Sequence, residues 1–93
     1  MEIKQTILEL GFDLEDFELT NNAYVYQIPN SDLFASLYGL LDDSELFTED
    51  LDAQNITLFG EDVTFIDEDG EVSINLVANF EKDQYQLIIS EAA

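Results

Sequence analysis

From Glu71 to Phe80 the sequence reads EVSINLVANF, with apolar and polar residues in strict alternation. Successive side chains of a strand point to opposite faces, so Val72, Ile74, Leu76, Ala78 and Phe80 share one side of an extended chain. A helix, with its period of 3.6, would scatter them around its surface. A strand with one apolar face needs neighbouring strands and a layer to cover that face. The rest of the chain supplies the strands. After a turn at EKD, 81–83, QYQLIIS puts Tyr85, Leu87 and Ile89 inward. Before a turn at EDG, 68–70, EDVTFID gives Val63 and Phe65, and QNITLFG gives Ile56 and Leu58. Nearer the start, FELTNNAYVYQI reads as a hairpin: Phe17 and Leu19 alternate, Asn21-Asn22 turns, and Tyr24, Tyr26 and Ile28 alternate again. Connections this short favour antiparallel pairing.

Two amphipathic helices supply the cover. In residues 2–10, Ile3, Ile7 and Leu10 share a face, and Gly11 stands where a helix stops. After Pro29, NSDLFASLYGLL carries a stripe of Leu33, Phe34, Leu37, Leu40 and Leu41, with Asn30 or Ser31 as N-cap and Gly39 weakening the end. Ser44 is placed to cap a further short helical turn bearing Leu46, Phe47 and Leu51. The fold class expected is α+β, one domain over residues 1–93. It is an antiparallel sheet of four to six strands in the order α-β-β-α-β-β-β-β, with two helices on one face, or three if the turn at Ser44 forms. Ile74, Leu76, Phe34 and Leu37 are expected in one core.

Charge is the second constraint. Only Lys4 and Lys82 oppose 22 carboxylates, for a formal net charge of −20. Two carboxylates about 7 Å apart in water repel by roughly 0.6 kcal/mol before screening, so this density works against the compact state. Solubility alone asks for a magnitude of only about 2–8 in a small domain. A hydrophobic fraction of 46% and an aromatic fraction of 12% separate the chain from disordered acidic tails. The acids fall in clusters at 13–18, 42–52, 61–71 and 81–83, between the apolar segments. Direct binding to nucleic acid or to an anionic membrane is electrostatically opposed. The absence of cysteine fits a reducing compartment, and MEIKQTILELGF has no signal-peptide pattern, so a cytoplasmic location is expected.

The acids suggest several sites, each with a plainer reading. Asp50, Asp52 and Glu61 occupy the first, third and last places of a twelve-residue EF-hand frame. Asn55 stands where that loop needs Gly, and ITLF follows where ligands belong. Asp67 and Asp69 before Gly70 offer oxygen donors for weak calcium binding, yet Asp and Gly are also what a hairpin turn selects. Carboxylate pairs suited to acid–base work are uninformative where acids are this common. With no His, Cys or Arg, nucleophilic triads, zinc sites and Arg-assisted phosphoryl transfer are closed off. No enzyme, metal or other cofactor is expected. Lys4 and Lys82 form no basic patch. Most of the four tyrosines, Tyr24, Tyr26, Tyr38 and Tyr85, read as packing residues with solvated hydroxyls, with one or two at a rim placed to serve an interface.

A run of charge is most often a solvated face. Here the densest run, LLDDSELFTEDLD at 40–52, sits among apolar segments of a folded domain and has no neutralising cation. In size, charge and composition the chain resembles phage-encoded DNA-mimic inhibitors, the anti-CRISPR, anti-restriction and uracil-glycosylase-inhibitor class. That resemblance covers the whole chain, is compositional, and carries over no residue by motif. It implies a non-enzymatic protein that occupies the basic channel of a nucleic-acid-processing protein. The residues expected to face the partner's Lys and Arg side chains are Asp42, Asp43, Glu45, Glu49, Asp50 and Asp52, with Asp67, Glu68 and Asp69 as a second group. Leu46 and Phe47 are expected as apolar anchors. The competing readings are a cytosolic domain whose acidity serves solubility, an acidic partner or chaperone of a basic protein, and adaptation to high salt.

Overall fold

A computed structural model describes residues 2–91. Helix α1 is Ile3–Glu9 and helix α2 is Ser31–Asp43. The strands are β1 Glu18–Thr20, β2 Ala23–Ile28, β3 Phe47–Glu49, β4 Asn55–Thr57, β5 Gly60–Asp67, β6 Val72–Asn79 and β7 Gln84–Glu91. Short 3-10 turns at Leu14–Asp16 and Leu51–Ala53 precede β1 and β4.

Local chemistry explains the element ends. Asn21 and Asn22 both take positive φ, 51° and 66°, as a tight two-residue hairpin turn requires, and Asn tolerates that region better than most residues. Asn30 caps α2, its side-chain oxygen accepting from the Leu33 N–H at 2.8 Å. Thr6 is fully buried in α1, and its hydroxyl donates to the Glu2 carbonyl at 3.0 Å.

All strand pairs are antiparallel. The strand order is β1-β2-β7-β6-β5-β3, and β4 also pairs with β5. Since β6 occupies one side of β5, both β3 and β4 lie on the other. They form a single interrupted edge strand. Phe47–Glu49 lies against Phe65–Asp67, and Asn55–Thr57 lies against Gly60–Asp62. Between them the Asp50 N–H donates to the Thr64 carbonyl at 2.8 Å.

Both helices cover one face of the sheet. Ile7 of α1 and Phe34, Leu37 and Leu41 of α2 are buried with Val63, Phe65, Ile74, Leu76, Leu87 and Ile89 beneath them. The expected quartet Ile74, Leu76, Phe34 and Leu37 is therefore in one core. Burial in β6 alternates as its sequence does, from Val72 to Asn79.

The architecture differs from expectation in detail. Among the described residues the sheet has seven strands, not four to six. The extra one is β3, in the segment expected as a third helical turn. An isolated turn of helix has a costly nucleus, whereas the open edge of β5 offers backbone partners at once. Leu40, Leu19, Ile56, Leu58 and Phe80, expected inward or in strand register, are exposed. Leu40 lies at the flank of the α2 stripe, and the others lie on short edge strands, in a turn or at a strand end, only partly covered by the helices.

The opposite face of the sheet is open and nearly uncharged. Register places Val25, Ile88, Asn75 and Thr64 in one cross-strand row and Gln27, Gln86, Val77 and Asp62 in the next. Ser90, Ser73, Ile66 and Thr48 form a third. Among the described residues, register brings the carboxylates of Glu18, Asp62 and Asp50, which lies opposite Thr64, to this face. The remaining acids lie on the helix side, at the edges and in the turns.

Candidate partner-binding surface

The two groups of acids separated by sequence meet in space. Phe47 and Asp67 are cross-strand partners, and the Glu68 N–H donates to the Leu46 carbonyl at 3.2 Å. The β5–β6 turn carrying Glu68 and Asp69 is thereby fixed beside Glu45 and the entry to β3. From there the edge strand carries Glu49, Asp50 and Asp52 along β5, while Asp42 and Asp43 close α2 one step before. Asp42, Asp43, Glu45, Asp52, Glu68 and Asp69 are exposed, and Glu49 and Asp50 are partly covered. An Asp50 side-chain oxygen accepts from the Asp52 N–H at 3.2 Å and shapes the 3-10 turn. The twelve-residue frame from Asp50 to Glu61 is thus a 3-10 turn followed by the β4–β5 hairpin. Among the described residues no cluster of three or more Asp, Glu, His or Cys side chains is placed to hold a metal ion.

Asp42 and Asp43 stand in the last turn of α2, which contains no basic residue. That end of a helix carries the negative pole of its dipole, where an acid is unfavourable.

Asp67 corrects the expectation for the second group. It is 4% exposed, and one carboxylate oxygen accepts from the N–H groups of Glu71 at 2.7 Å and Val72 at 3.1 Å. Burial pushes its pKa up, the backbone hydrogen bonds from Val72 and Glu71 help push it down, and the net shift is downward. Asp67 organises the β5–β6 turn from inside; it does not present charge outward. Phe47 is corrected in the same way, being buried in the core, while Leu46 is 36% exposed.

At the seam of α2, β3 and β5 the Tyr38 hydroxyl donates to a Glu49 carboxylate oxygen at 2.8 Å. The Tyr38 ring packs edge-on against Phe65 with centroids 5.9 Å apart. Its pKa is pushed up to about 12, first by the hydrogen bond to Glu49, then by burial, then by the charges of Glu49, Asp42 and Glu61. Three carboxylates from three elements therefore bear on one phenol.

Beside this seam lies a depression of about 540 Å³ lined by Ser31, Asp32, Phe34, Ala35, Tyr38, Glu61 and Phe80. Phe80 is half exposed, and its N–H donates to the Phe59 carbonyl at 2.7 Å. That bond ties the hollow to the exposed β4–β5 hairpin, where Leu58 is 85% exposed and Ile56 and Phe59 also face outward.

Sequence reasoning missed Asp32 and Phe80 as surface groups, did not single out Tyr38 among the four tyrosines, and weighed Glu61 as a calcium ligand and as one member of the 61–71 acidic cluster. Only the register of β5 against β6 and the path of α2 bring them together. The one local sign was Phe80 itself, an apolar residue directly before the EKD turn. Comparisons of the chain with protein-family models, curated proteins and solved structures find no match.

Proposed function

We propose that the protein is a non-enzymatic nucleic-acid mimic that blocks the basic DNA or RNA channel of a nucleic-acid-processing protein, such as a CRISPR or restriction nuclease. The observation that carries this reading is the continuous acidic edge from Asp42 to Asp52, joined by Glu68 and Asp69. An extended chain advances at most about 3.5 Å per residue, so the path from Glu45 to Asp52 spans no more than about 25 Å. Four carboxylates lie on that path, and Glu68 and Asp69 beside Glu45 make six, about one per 4 Å, against one phosphate per about 3.4 Å along a DNA strand. Phosphate contacts supply much of the affinity of nucleic-acid-binding proteins without base readout, so matching charge density suffices to compete for a channel. The exposed apolar hairpin at Ile56, Leu58 and Phe59 favours a protein partner over acidity for solubility alone.

The test is capture of nuclease or other nucleic-acid-binding proteins from lysate on the immobilised protein, followed by release with duplex DNA or with RNA. Charge reversal at Asp42, Asp43 and Glu45 is then compared with reversal at Asp13, Glu15 and Asp16 against the captured partner. The mimic reading requires that only the first triple weakens binding and that added salt weakens it further, because steering by opposite charge is screened. Capture of basic proteins that nucleic acid does not displace, or equal insensitivity to both triples, overturns it in favour of an acidic partner or a solubility role.

A further inference from the structure

We infer that the hollow between α2 and the ends of β5 and β6 is a receptor for a single arginine side chain of the partner. The inference rests on the mimic reading for its biological context, but the hollow's own chemistry names the occupant. Its walls are Phe34, Ala35, Tyr38 and Phe80, and its rim carries Asp32 and Glu61. An apolar hollow alone would take any greasy group. A rim of carboxylates selects a cation, and aromatic walls select one with a flat, weakly hydrated head and an apolar stem. Arginine has all three properties: its guanidinium stacks on aromatic faces, forks onto carboxylates and remains charged. Lysine presents a strongly hydrated point charge and gains less from the rings.

Two further features make the hollow suited to this role. Tyr38 is held in place by its hydrogen bond to Glu49, so one wall is set before anything binds. Phe80 remains half exposed although it follows directly on the alternating segment whose other apolar members are buried. Its ring lies near Tyr85, at a centroid distance of 6.3 Å, and closes the hollow from the strand side. The occupant is not supplied by a second copy, because this chain contains no arginine. The site shares no residue with the acidic edge, and the Tyr38–Glu49 hydrogen bond joins the two. An arginine seated there would fix the register in which a basic channel meets the edge. Edge charges alone would leave the partner free to slide.

The test uses the intact protein labelled with ¹⁵N and titrated with N-acetyl-arginine amide, N-acetyl-lysine amide and N-acetyl-citrulline amide at moderate salt. The arginine probe is expected to shift the amides of Ala35, Tyr38, Glu61 and Phe80 ahead of those near Asp13–Glu18. The lysine probe is expected to be weaker at the same residues, and uncharged citrulline weaker still. Phe80→Ala and Glu61→Gln are each expected to reduce the arginine affinity at those amides about three- to tenfold, the scale of losing one cation–aromatic or cation–carboxylate contact. Spectral dispersion and the thermal midpoint verify that both variants fold. Shifts spread evenly over all acidic regions, affinity unchanged in both variants, or lysine binding as tightly as arginine would each overturn the assignment. Failure here with a DNA-displaceable partner in hand removes the arginine site and leaves the mimic reading. Localised arginine binding with no such partner does the reverse.

Discussion

Replacing Asp67 separates structural charge from presented charge. Its carboxylate is buried and accepts two backbone hydrogen bonds, from Glu71 and Val72. Hydrogen bonds to charged groups are worth about 1.5–3 kcal/mol each, and a buried donor left without its partner costs about 1–3 kcal/mol. Val72 is itself buried, so in Asp67→Ala its N–H has little access to water as a substitute. Asp67→Ala is therefore expected to cost about 2–4 kcal/mol, and Asp67→Asn, which keeps a neutral acceptor, about 1–2 kcal/mol. The effect has a pH signature. The folded pKa of Asp67 is depressed, so its stabilisation is present above the ordinary unfolded carboxylate value and is lost as pH falls through the folded one. The stability gap between the native chain and Asp67→Asn should be constant from neutral pH down to about pH 5 and close below about pH 4. Urea denaturation of both proteins at a series of pH values measures that gap directly. Taking a difference cancels the common response of the other carboxylates. A gap that is absent at pH 7, or that does not narrow in acid, would refute the assignment of Asp67 as the organiser of the turn. Partner affinity should be unchanged in Asp67→Asn wherever it remains folded.

Leu76 is fully buried, and Leu76→Ala should lower unfolding free energy by about 2–5 kcal/mol in urea melts, the range for deleting a buried leucine side chain. Ultraviolet titration of tyrosine should show one phenol ionising near 12, and Glu49→Gln should bring it down by removing its hydrogen-bonded anion. Asp42→Asn with Asp43→Asn should raise the unfolding free energy in urea melts by about 0.5–2 kcal/mol in all, as two charges leave the wrong end of α2, while partner affinity falls. Moderate added salt should stabilise the native chain by screening its self-repulsion, and a urea midpoint insensitive to salt would show that the −20 charge carries no such strain.

The parts of the fold legible in the sequence are those governed by local periodicity. The alternation of 72–78 and 85–89 matches buried positions residue for residue, Val63 and Phe65 are buried as expected though Thr64 between them is covered too, and Gly11, Asn21-Asn22, Asn30 and Gly70 sit at the ends and turns their chemistry suits. What was not legible depends on pairing between distant segments. Phe47–Glu49 becomes a strand because β5 has an open edge there, a fact about register that the segment LFTED does not contain. For the candidate surface, the exposed acids of 42–52 and 68–69 were legible as charge, but their union through Leu46 and Glu68 was not. The burial of Asp67 was hidden for a related reason: DEDGE reads the same whether its first acid turns in toward the backbone or out toward water. The hollow at Phe80 was hidden because alternation predicts which side a residue faces, not where the covering helix ends.

The distribution of charge argues against acidity as a simple aid to solubility. Solubility is served by carboxylates anywhere on the surface, and the open sheet face offers partly exposed positions along three cross-strand rows. That face instead carries mostly Gln, Asn, Ser and Thr with Val25, Ile66, Val77 and Ile88, and by register brings in three acids, Glu18, Asp50 and Asp62, among the described residues. Meanwhile Asp42 and Asp43 occupy a helix end where each is disfavoured by about 0.3–1 kcal/mol, and they join Glu45, Glu68 and Asp69 in a region where like charges already repel. Spreading these charges over the open face would lower the free energy of the folded state on both counts. A sequence that leaves a neutral face neutral, and concentrates its anions where they destabilise a helix, departs from the arrangement stability favours. Departures of that kind are expected where a surface serves binding. High-salt adaptation does not account for the pattern either, since it asks for acids over the whole solvent-facing surface. The asymmetry thus favours a directed electrostatic contact, made through the edge from Asp42 to Asp52 and the turn at Glu68 and Asp69.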